Sequence, residues 1–394
     1  MRTGIATVPL DWGRCPPWLF ERMKRLSRGI ALAVIEEFGP EEFLKRLSDP
    51  VWFQSLGCVI AFDWNSSGLA TTTLGALKEG LRGLEKELDI FICGGKGKTS
   101  RKTPEQIKKW GEFLGFSEKK VNKLVYASKI SAKVDSSLIQ AGFQIYHHNF
   151  IFTKSGSWNV VQQGMNTEIQ KARRYHWLSL NLKDFTQEPH TGIVSEVKAK
   201  PLNLTAKESK ENKKVSTELA REESKGFLRD FARLIEEKPK NPSLFSSAKN
   251  SLLRRKRGPH FVELELYSRE FYWHPVLKEK FDFKRLKRII EKIRFFKPET
   301  FENLLMIEGV GPKTIRALSL AAELIYGAKA SFEDPARYSF AHGGKDGTPY
   351  FPDKEEMDKT IRALEQGIKK SKISLKEKIK ARERVIEKFN PQRI

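Results

Sequence analysis

An aspartate that ends a short apolar run is the residue of this sequence best placed to do chemistry. Residues 57–63 read GCVIAFD, a nearly continuous apolar run that predicts a strand buried on both faces. Ligand sites of open α/β sheets lie at the carboxyl ends of such strands. Asp63 is therefore our first candidate for a catalytic residue and for the ligand of a divalent metal ion, Mg²⁺ or Mn²⁺, with an aspartate that caps a turn as the alternative. Asp135, in a predicted helix, is either the second carboxylate or an exposed helical aspartate.

Two histidines, His147-His148, interrupt an apolar strand predicted over residues 143–153. That strand and residues 158–165 predict a β-hairpin that turns at a Ser-Gly pair. Neighbouring residues of a strand face opposite sides, so the two imidazoles cannot chelate one metal as a simple couple. If the turn has two residues, His148 lies opposite Gln163. We therefore predict His148 and Gln163 as catalytic polar residues, with a satisfied pair in the core as the alternative.

The most specific motif lies within residues 297–327, where two helices with apolar stripes are predicted on either side of the sequence GVGPKT. Its two glycines allow a tight turn that a side chain would block. Its proline fits the first turn of the second helix, whose N-terminal amides offer an anion site. The motif resembles the helix-hairpin-helix, which grips one DNA backbone without reading bases; an ordinary turn between helices is the alternative. The predicted DNA contacts here are Gly309, Gly311, Lys313, Thr314 and Arg316.

Three further clusters of cations are predicted to contact DNA. A loop rich in glycine and lysine at residues 94–103 lies between a predicted strand and a predicted helix, which suits a phosphate cradle or a mobile surface loop. It lacks the GxxxxGK[ST] spacing, so we predict no nucleotide hydrolysis. The run RRYHW combines cations and rings, which suits phosphate contact and base stacking, and a second basic glycine-rich loop follows the hairpin motif. The predicted contacts are Lys96, Lys98, Arg101, Lys102, Arg173, Arg174, Arg337 and Lys345.

The elements that must position the candidate carboxylates alternate along the chain. A strand at residues 57–63 is followed by a predicted helix at 71–88 and by a second short apolar strand at 89–93. The next helix opens at Thr103, where a capping residue precedes a proline and a glutamine. This order predicts a parallel α/β unit with a right-handed crossover.

A change in composition marks the expected domain boundary. Residues 199–225 are dominated by Lys, Glu, Ser, Asn and Thr, which predicts a solvated linker or an exposed helix. We therefore expect an α+β protein. Its N-terminal α/β domain, residues 1–198, would combine a short parallel sheet with the β-hairpin, and its mainly helical C-terminal domain, residues 226–394, would carry the helix-hairpin-helix.

Charge is the most informative bulk property of the chain. Its 394 residues include 72 Lys and Arg against 49 Asp and Glu, a net charge of +23, which favours binding to a polyanion. No apolar run approaches the roughly 20 residues that a membrane helix needs. Cys58 and Cys93 lie in apolar runs and are expected to be buried thiols. We expect a cytoplasmic protein that binds duplex, single-stranded or branched DNA and has no membrane partner.

Several stretches look like fixed family motifs, among them RLSDPVWFQSLGCVIAFDWNSSG, ICGGKGKTSRKTP, IYHHNFIFTKSGSWNVVQQGMN and DPARYSFAHGGKDG. Together with the hairpin motif they resemble the archaeal and bacterial family catalogued as domain of unknown function 763. The resemblance runs over nearly the whole chain. It implies no particular activity.

The function that these residues predict is a metal-dependent DNA nuclease of repair or recombination, with repair or recombination proteins as possible partners. One alternative is a DNA glycosylase or abasic-site lyase of the helix-hairpin-helix type. Lys313 would then form a Schiff base with the sugar, and Asp334 would stabilise the developing positive charge. A repair scaffold without catalysis is the other alternative. A cluster of Asp63 with another acid or histidine in a polar cleft would favour the enzyme.

Overall fold

The computed structural model describes residues 15–60, 67–195, 199–221, 261–265 and 278–336. Only the backbone is described for 261–265 and 278–280. Three predicted site residues, Asp63, Arg337 and Lys345, lie outside the described residues.

Helices precede the sheet along the chain. They are α1 Pro17–Phe38, α2 Pro40–Ser48, α3 Pro50–Val59, α4 Gly68–Gly80 and α5 Glu85–Leu88. The strand expected at 57–63 is wrong where its residues are described, at 57–60, because this apolar run forms the end of α3 as far as Val59. Asp49 begins that helix, since its Oδ1 accepts hydrogen bonds from the amides two and three residues further on, at 2.7 and 3.1 Å, and a proline fits the first turn. A fully buried helix and a fully buried strand have the same apolar pattern.

An antiparallel sheet of five strands lies at the centre of the described structure. Its strands are β1 Phe91–Lys96, β3 Gln144–Phe152, β4 Trp158–Asn166, β5 Lys171–Leu178 and β6 His190–Ser195, in the order β1-β3-β4-β5-β6. A separate antiparallel pair joins β2 Ile139–Gln140 to β7 Leu202–Asn203. The α+β class is confirmed, but the expected parallel sheet is wrong. The strand predicted at 89–93 exists as β1, and it pairs antiparallel with β3 because its expected parallel partner is helical.

Helices cover both faces of the sheet. The core formed by α1–α4 includes Ile151 and Val161 from one face of the sheet. Phe150 and Val160, one residue earlier on the same strands, point to the other face. That face packs against α6 Thr103–Phe113 and α7 Glu118–Ser137, and α8 Lys210–Arg221 belongs to the same apolar cluster. Within the described part of the chain, no helix is long and apolar enough to cross a bilayer.

The predicted β-hairpin forms, but its register differs by one residue. Five residues, 153–157, connect β3 and β4, and the turn is closed by hydrogen bonds within this loop. His148 therefore lies opposite Gln162, and His147 lies opposite Gln163. A shift of one residue moves a side chain to the other face of a strand, so the predicted pairing of His148 with Gln163 is wrong.

The segment expected as a solvated linker, residues 199–225, is packed where the structure describes it, at 199–221. It contains β7 and α8, and α8 joins the same apolar cluster as the sheet. The buried amide of Asn212 donates to the carbonyls of Ser319 (3.0 Å) and Ala328 (2.6 Å). Polar composition did not imply exposure here, because buried polar side chains are stable when they are hydrogen-bonded.

The C-terminal helices extend the core on the α7 side of the sheet. They are α9 Phe283–Phe296, α10 Phe301–Met306 and α11 Pro312–Leu324, and an antiparallel pair, β8 Phe261–Glu265 and β9 Lys278–Asp282, precedes them. Asp282 and Thr300 cap α9 and α10, since their side chains accept hydrogen bonds from main-chain amides at 3.0 and 3.1 Å. Buried residues of all three helices share one apolar cluster with the sheet.

Candidate functional site

The turn between α10 and α11, residues 307–311, has the backbone that the GVG sequence predicts. Gly309 adopts a φ of +94°, a left-handed conformation that side chains disfavour. Gly311 is the N-cap of α11, and no side chain caps this helix, unlike α9 and α10. The amides of the first turn of a helix have no partner within the helix. Gly309, Pro312 and Lys313 are exposed, so this helix end faces solvent.

Helix α7 and strand β2 hold the other side of the same turn. Lys133 donates a hydrogen bond to the carbonyl of Val310, and Gln140 Nε2 donates to the carbonyl of Pro312 at 2.9 Å. Arg316 Nε donates to Gln140 Oε1 at 2.8 Å, and burial lowers the pKa of Arg316 to about 10. Of the DNA contacts predicted in this motif, Arg316 is therefore turned inward and Thr314 is buried.

Helix α9 lies beside the turn and adds a row of cations. Lys292 Nζ forms an ion pair with Glu308 Oε2 at 2.8 Å, and a Cβ on Gly309 would lie 3.7 Å from Ile289 Cγ1. We call the surface formed by the exposed cations of α9 and the α10–α11 turn the C-terminal basic surface. Its exposed cations are Lys284, Arg285, Lys287, Arg288, Lys297 and Lys313. The amphipathic pattern of α9 is the sequence signal for these cations, which the predicted DNA contacts do not include.

The predicted Gly-Lys loop is an ordered second basic surface. After β1 ends at Lys96, residues Gly97–Lys102 form a 3-10 turn. Ser100 Oγ donates to the carbonyl of Gly97 at 2.6 Å, and Thr103 Oγ1 donates to the carbonyl of Ser100 at 2.7 Å. All four predicted cations of this loop are exposed: Lys96, Lys98, Arg101 and Lys102.

Two other predicted DNA contacts lie in the protein interior. Arg173 is buried in an ion pair of 2.7 Å with Asp334. Arg174 is buried on the opposite face of the sheet, where its guanidinium donates to Gln54 Oε1 and to His176 Nε2, both at 2.9 Å. Burial lowers the pKa of Arg174 to about 9. The prediction that these arginines touch DNA is therefore wrong for this conformation, because both side chains are buried inside the fold.

A buried hydrogen-bonded chain connects Asp135 to His148 through Gln162. Gln162 Nε2 donates to Asp135 Oδ2, and Gln162 Oε1 lies 2.7 Å from His148 Nδ1. Ser128 Oγ lies 2.9 Å from His148 Nε2, and Trp177 Nε1 donates to Asp135 Oδ2 at 3.0 Å. Burial lowers the pKa of His148, although the Gln162 hydrogen bond and the charge of Asp135 oppose that shift. Asp135 is thus fully buried, so the alternative of an exposed helical aspartate is wrong.

His190 completes this chain and was missed from the sequence, because it lies 55 residues from Asp135 and no local pattern links the two. Its Nε2 lies 2.5 Å from Asp135 Oδ1. His190 also lines a cleft of about 470 Å³. A buried carboxylate that orients an imidazole could make it a general base. However, Glu188, Glu208 and Glu333 line the same cleft, and such carboxylates repel a phosphodiester.

The opposite face of the sheet carries a polar row that is less completely bonded. His147 Nε2 lies 2.7 Å from Asn149 Nδ2. Gln163 Nε2 donates to the carbonyl of Ser67 at 2.9 Å and to the hydroxyl of Tyr146 at 2.5 Å. Among the described residues, His147 Nδ1 and Gln163 Oε1 have no hydrogen-bond partner. The structure therefore brings Asp135 and His148 together but places Gln163 on the other side of the sheet.

The described residues contain no group of three or more histidines, cysteines or acids that could hold a metal ion. Asp63, the predicted ligand, lies outside these residues. The metal prediction stays untested.

Comparison with known families identifies the chain by family. Residues 4–352 match the model described as "Protein of unknown function (DUF763)", so the chain belongs to this family. No curated protein and no solved structure matches the chain significantly.

Proposed function

We propose that this protein binds the phosphate backbone of DNA through the C-terminal basic surface, with the α10–α11 turn acting as a helix-hairpin-helix grip. One observation carries the proposal. The exposed N-terminus of α11 has no side-chain cap, while α9 and α10 beside it are capped by Asp282 and Thr300. Free amides at a helix N-terminus bind phosphate oxygens.

The charges around this helix end support an anionic partner. The exposed cations of α9 lie beside the turn. An ion pair between Lys292 of α9 and Glu308 of the turn joins the two. Contacts of this kind neutralise phosphates and carry no sequence information. We therefore expect binding that does not depend on sequence and that weakens steeply as salt rises.

Gly311 allows a direct test by fluorescence anisotropy with labelled duplexes of different sequence. A Cβ at Gly311 would meet no atom within 4 Å, so Gly311→Leu should fold normally while its side chain covers the amides of the first helical turn. We expect about tenfold weaker binding to every duplex, since a backbone grip makes no base contacts. Gly309→Leu is a less clean variant, because the φ of +94° would strain the turn itself.

The matched control is Asn181→Leu, which adds the same side chain at an exposed, uncharged position. This variant should bind as the unmodified protein does. Equal affinity of Gly311→Leu and the unmodified protein, or a loss confined to some sequences, would contradict the proposed grip.

Metal-dependent cleavage of the bound DNA stays a prediction. We expect Asp63→Asn to lose any cleavage that requires Mg²⁺ or Mn²⁺ and that EDTA stops, while DNA affinity is retained. The lyase alternative needs both Lys313 and Asp334. The carboxylate of Asp334 already accepts hydrogen bonds from Arg173 and from two main-chain amides, which argues against this alternative. Borohydride trapping on DNA with abasic sites tests it, and an adduct that disappears in Lys313→Gln would favour the lyase over the nuclease.

A further inference from the structure

The C-terminal end of α9 carries two neighbouring aromatic rings in solvent. Phe295 is 82% exposed and Phe296 is 57% exposed. Their ring centroids lie 5.4 Å apart with an interplanar angle of 87°. The helix buries Leu286, Ile290 and Ile293 and so does not need these two rings for its packing. Exposed apolar groups that cluster usually mark a binding surface.

Two other strongly exposed rings of the described helices lie beside cations of the protein itself. Arg22 lies 5.5 Å from the ring centroid of Trp18, and Lys86 lies 4.0 Å from that of Phe113. Phe295 and Phe296 contact each other instead. In this edge-to-face pair the edge of one ring meets a face of the other, and more than half of the surface of each residue remains exposed to a planar partner.

The charges next to the rings select an anionic partner with planar groups. Lys292 lies one helical turn before Phe296, and Lys297 directly follows it. Arg288 lies one turn before Lys292 and is exposed. Aromatic rings set among cations are the arrangement that binds single-stranded nucleic acid, in which bases stack on the rings and phosphates meet the cations.

Lys292 also connects the rings to the proposed backbone grip, since its ion pair with Glu308 joins α9 to the α10–α11 turn. In a fully paired duplex the faces of the bases are stacked on one another, whereas unpaired bases expose them. We propose that Phe295 and Phe296 stack on unpaired bases beside a duplex that the α10–α11 turn holds, so that the preferred substrate is DNA with a junction between duplex and single strand. This inference rests on the proposed binding of DNA by the C-terminal basic surface.

The test measures the affinity of the full chain for two labelled DNAs by fluorescence anisotropy. One is a blunt duplex, and the other is a fork that carries the same duplex and two unpaired thymidine arms. We expect the unmodified protein to bind the fork about tenfold more tightly, the effect that stacking on one or two bases gives. The double variant Phe295→Ala/Phe296→Ala should lose this preference and keep its affinity for the blunt duplex. Phe295→Trp/Phe296→Trp should retain the preference, because tryptophan rings also stack.

Phe113→Ala is the matched control, since Phe113 is as exposed as Phe296, at 57%, and lies on α6. It should leave both affinities unchanged. Tight duplex binding without a fork preference would overturn this inference and leave the backbone grip standing, whereas absence of all DNA binding would overturn the grip. Self-association in sedimentation experiments that the double alanine variant abolishes would assign the rings to a second copy of the chain and would also overturn the inference.

Discussion

Each face of the central sheet carries one histidine and one glutamine from β3 and β4, but the two pairs differ in their hydrogen bonds. His148 and Gln162 face α7, while His147 and Gln163, their neighbours on the same two strands, face the α1–α4 side. His148 has partners for both ring nitrogens. His147 has a partner for Nε2, and within the described residues its Nδ1 has none.

The proton positions follow from this difference. Gln162 gives its amide hydrogens to Ser131 and Asp135, so its carbonyl accepts from His148 Nδ1, and His148 Nε2 accepts from Ser128. On the other face the Asn149 amide donates to His147 Nε2, which leaves the proton of the neutral ring on Nδ1. A satisfied buried network stabilises a fold, whereas an unsatisfied buried group costs free energy. The α7 face therefore contributes to stability, and the opposite face retains unused hydrogen-bonding capacity.

The largest expected effect is the loss of stability when Asp135, the shared acceptor of the satisfied network, is replaced. Asp135→Ala would leave the side chains of Gln162, Trp177 and His190 without their acceptor. Each buried donor left without its acceptor costs about 1–3 kcal/mol, so urea denaturation should show a loss of about 3 kcal/mol or more. Asp135→Asn, which keeps the shape and one acceptor oxygen, should lose less. A change below about 1 kcal/mol in Asp135→Ala would mean that the network does not support the fold.

The two histidines provide a matched pair of variants with equal loss of volume. His148→Ala leaves Ser128 and Gln162 without their partner, while His147→Ala removes an unsatisfied donor together with one hydrogen bond. We expect His148→Ala to be less stable than His147→Ala by about 2 kcal/mol in urea denaturation. Equal losses in the two variants would contradict the difference between the faces.

Features encoded within a few residues were predictable from the sequence. The α10–α11 turn follows from two glycines and a proline. Helix α6 begins at Thr103 as expected, but the predicted capping is wrong, because Lys102 is the N-cap, no side chain caps the helix, and Thr103 Oγ1 donates to the carbonyl of Ser100. The cations of the Gly-Lys loop are exposed as expected, and Cys58 and Cys93 are buried.

Features that depend on distant partners were not predictable. Arg173 is neutralised by Asp334, 161 residues further along the chain, and Arg174 meets Gln54, 120 residues earlier. No local pattern distinguishes these buried arginines from cations on a surface. The predicted register of the β-hairpin is wrong for another reason. The register depends on the length of the connecting loop, and a difference of one residue exchanges the two faces of the strand.

The last prediction concerns the stability of the protein at acidic pH and has the smallest expected effect. Burial, together with the nearby His148 and Lys96, lowers the pKa of His147 to about 3. In the unfolded chain a histidine has a pKa of about 6.5. As the pH falls below that value, the unfolded chain binds a proton that the folded protein refuses, so stability falls with pH until about pH 3, where the folded protein accepts the proton as well. His147→Gln removes this contribution. Between about pH 7 and pH 5.5 the variant should therefore lose about 1 kcal/mol less stability than the unmodified protein. Urea denaturation at the two pH values measures the difference. An equal loss of stability in the variant and in the unmodified protein would show that His147 accepts a proton in the folded state. Its Nδ1 would then not lie in the closed interior that we describe.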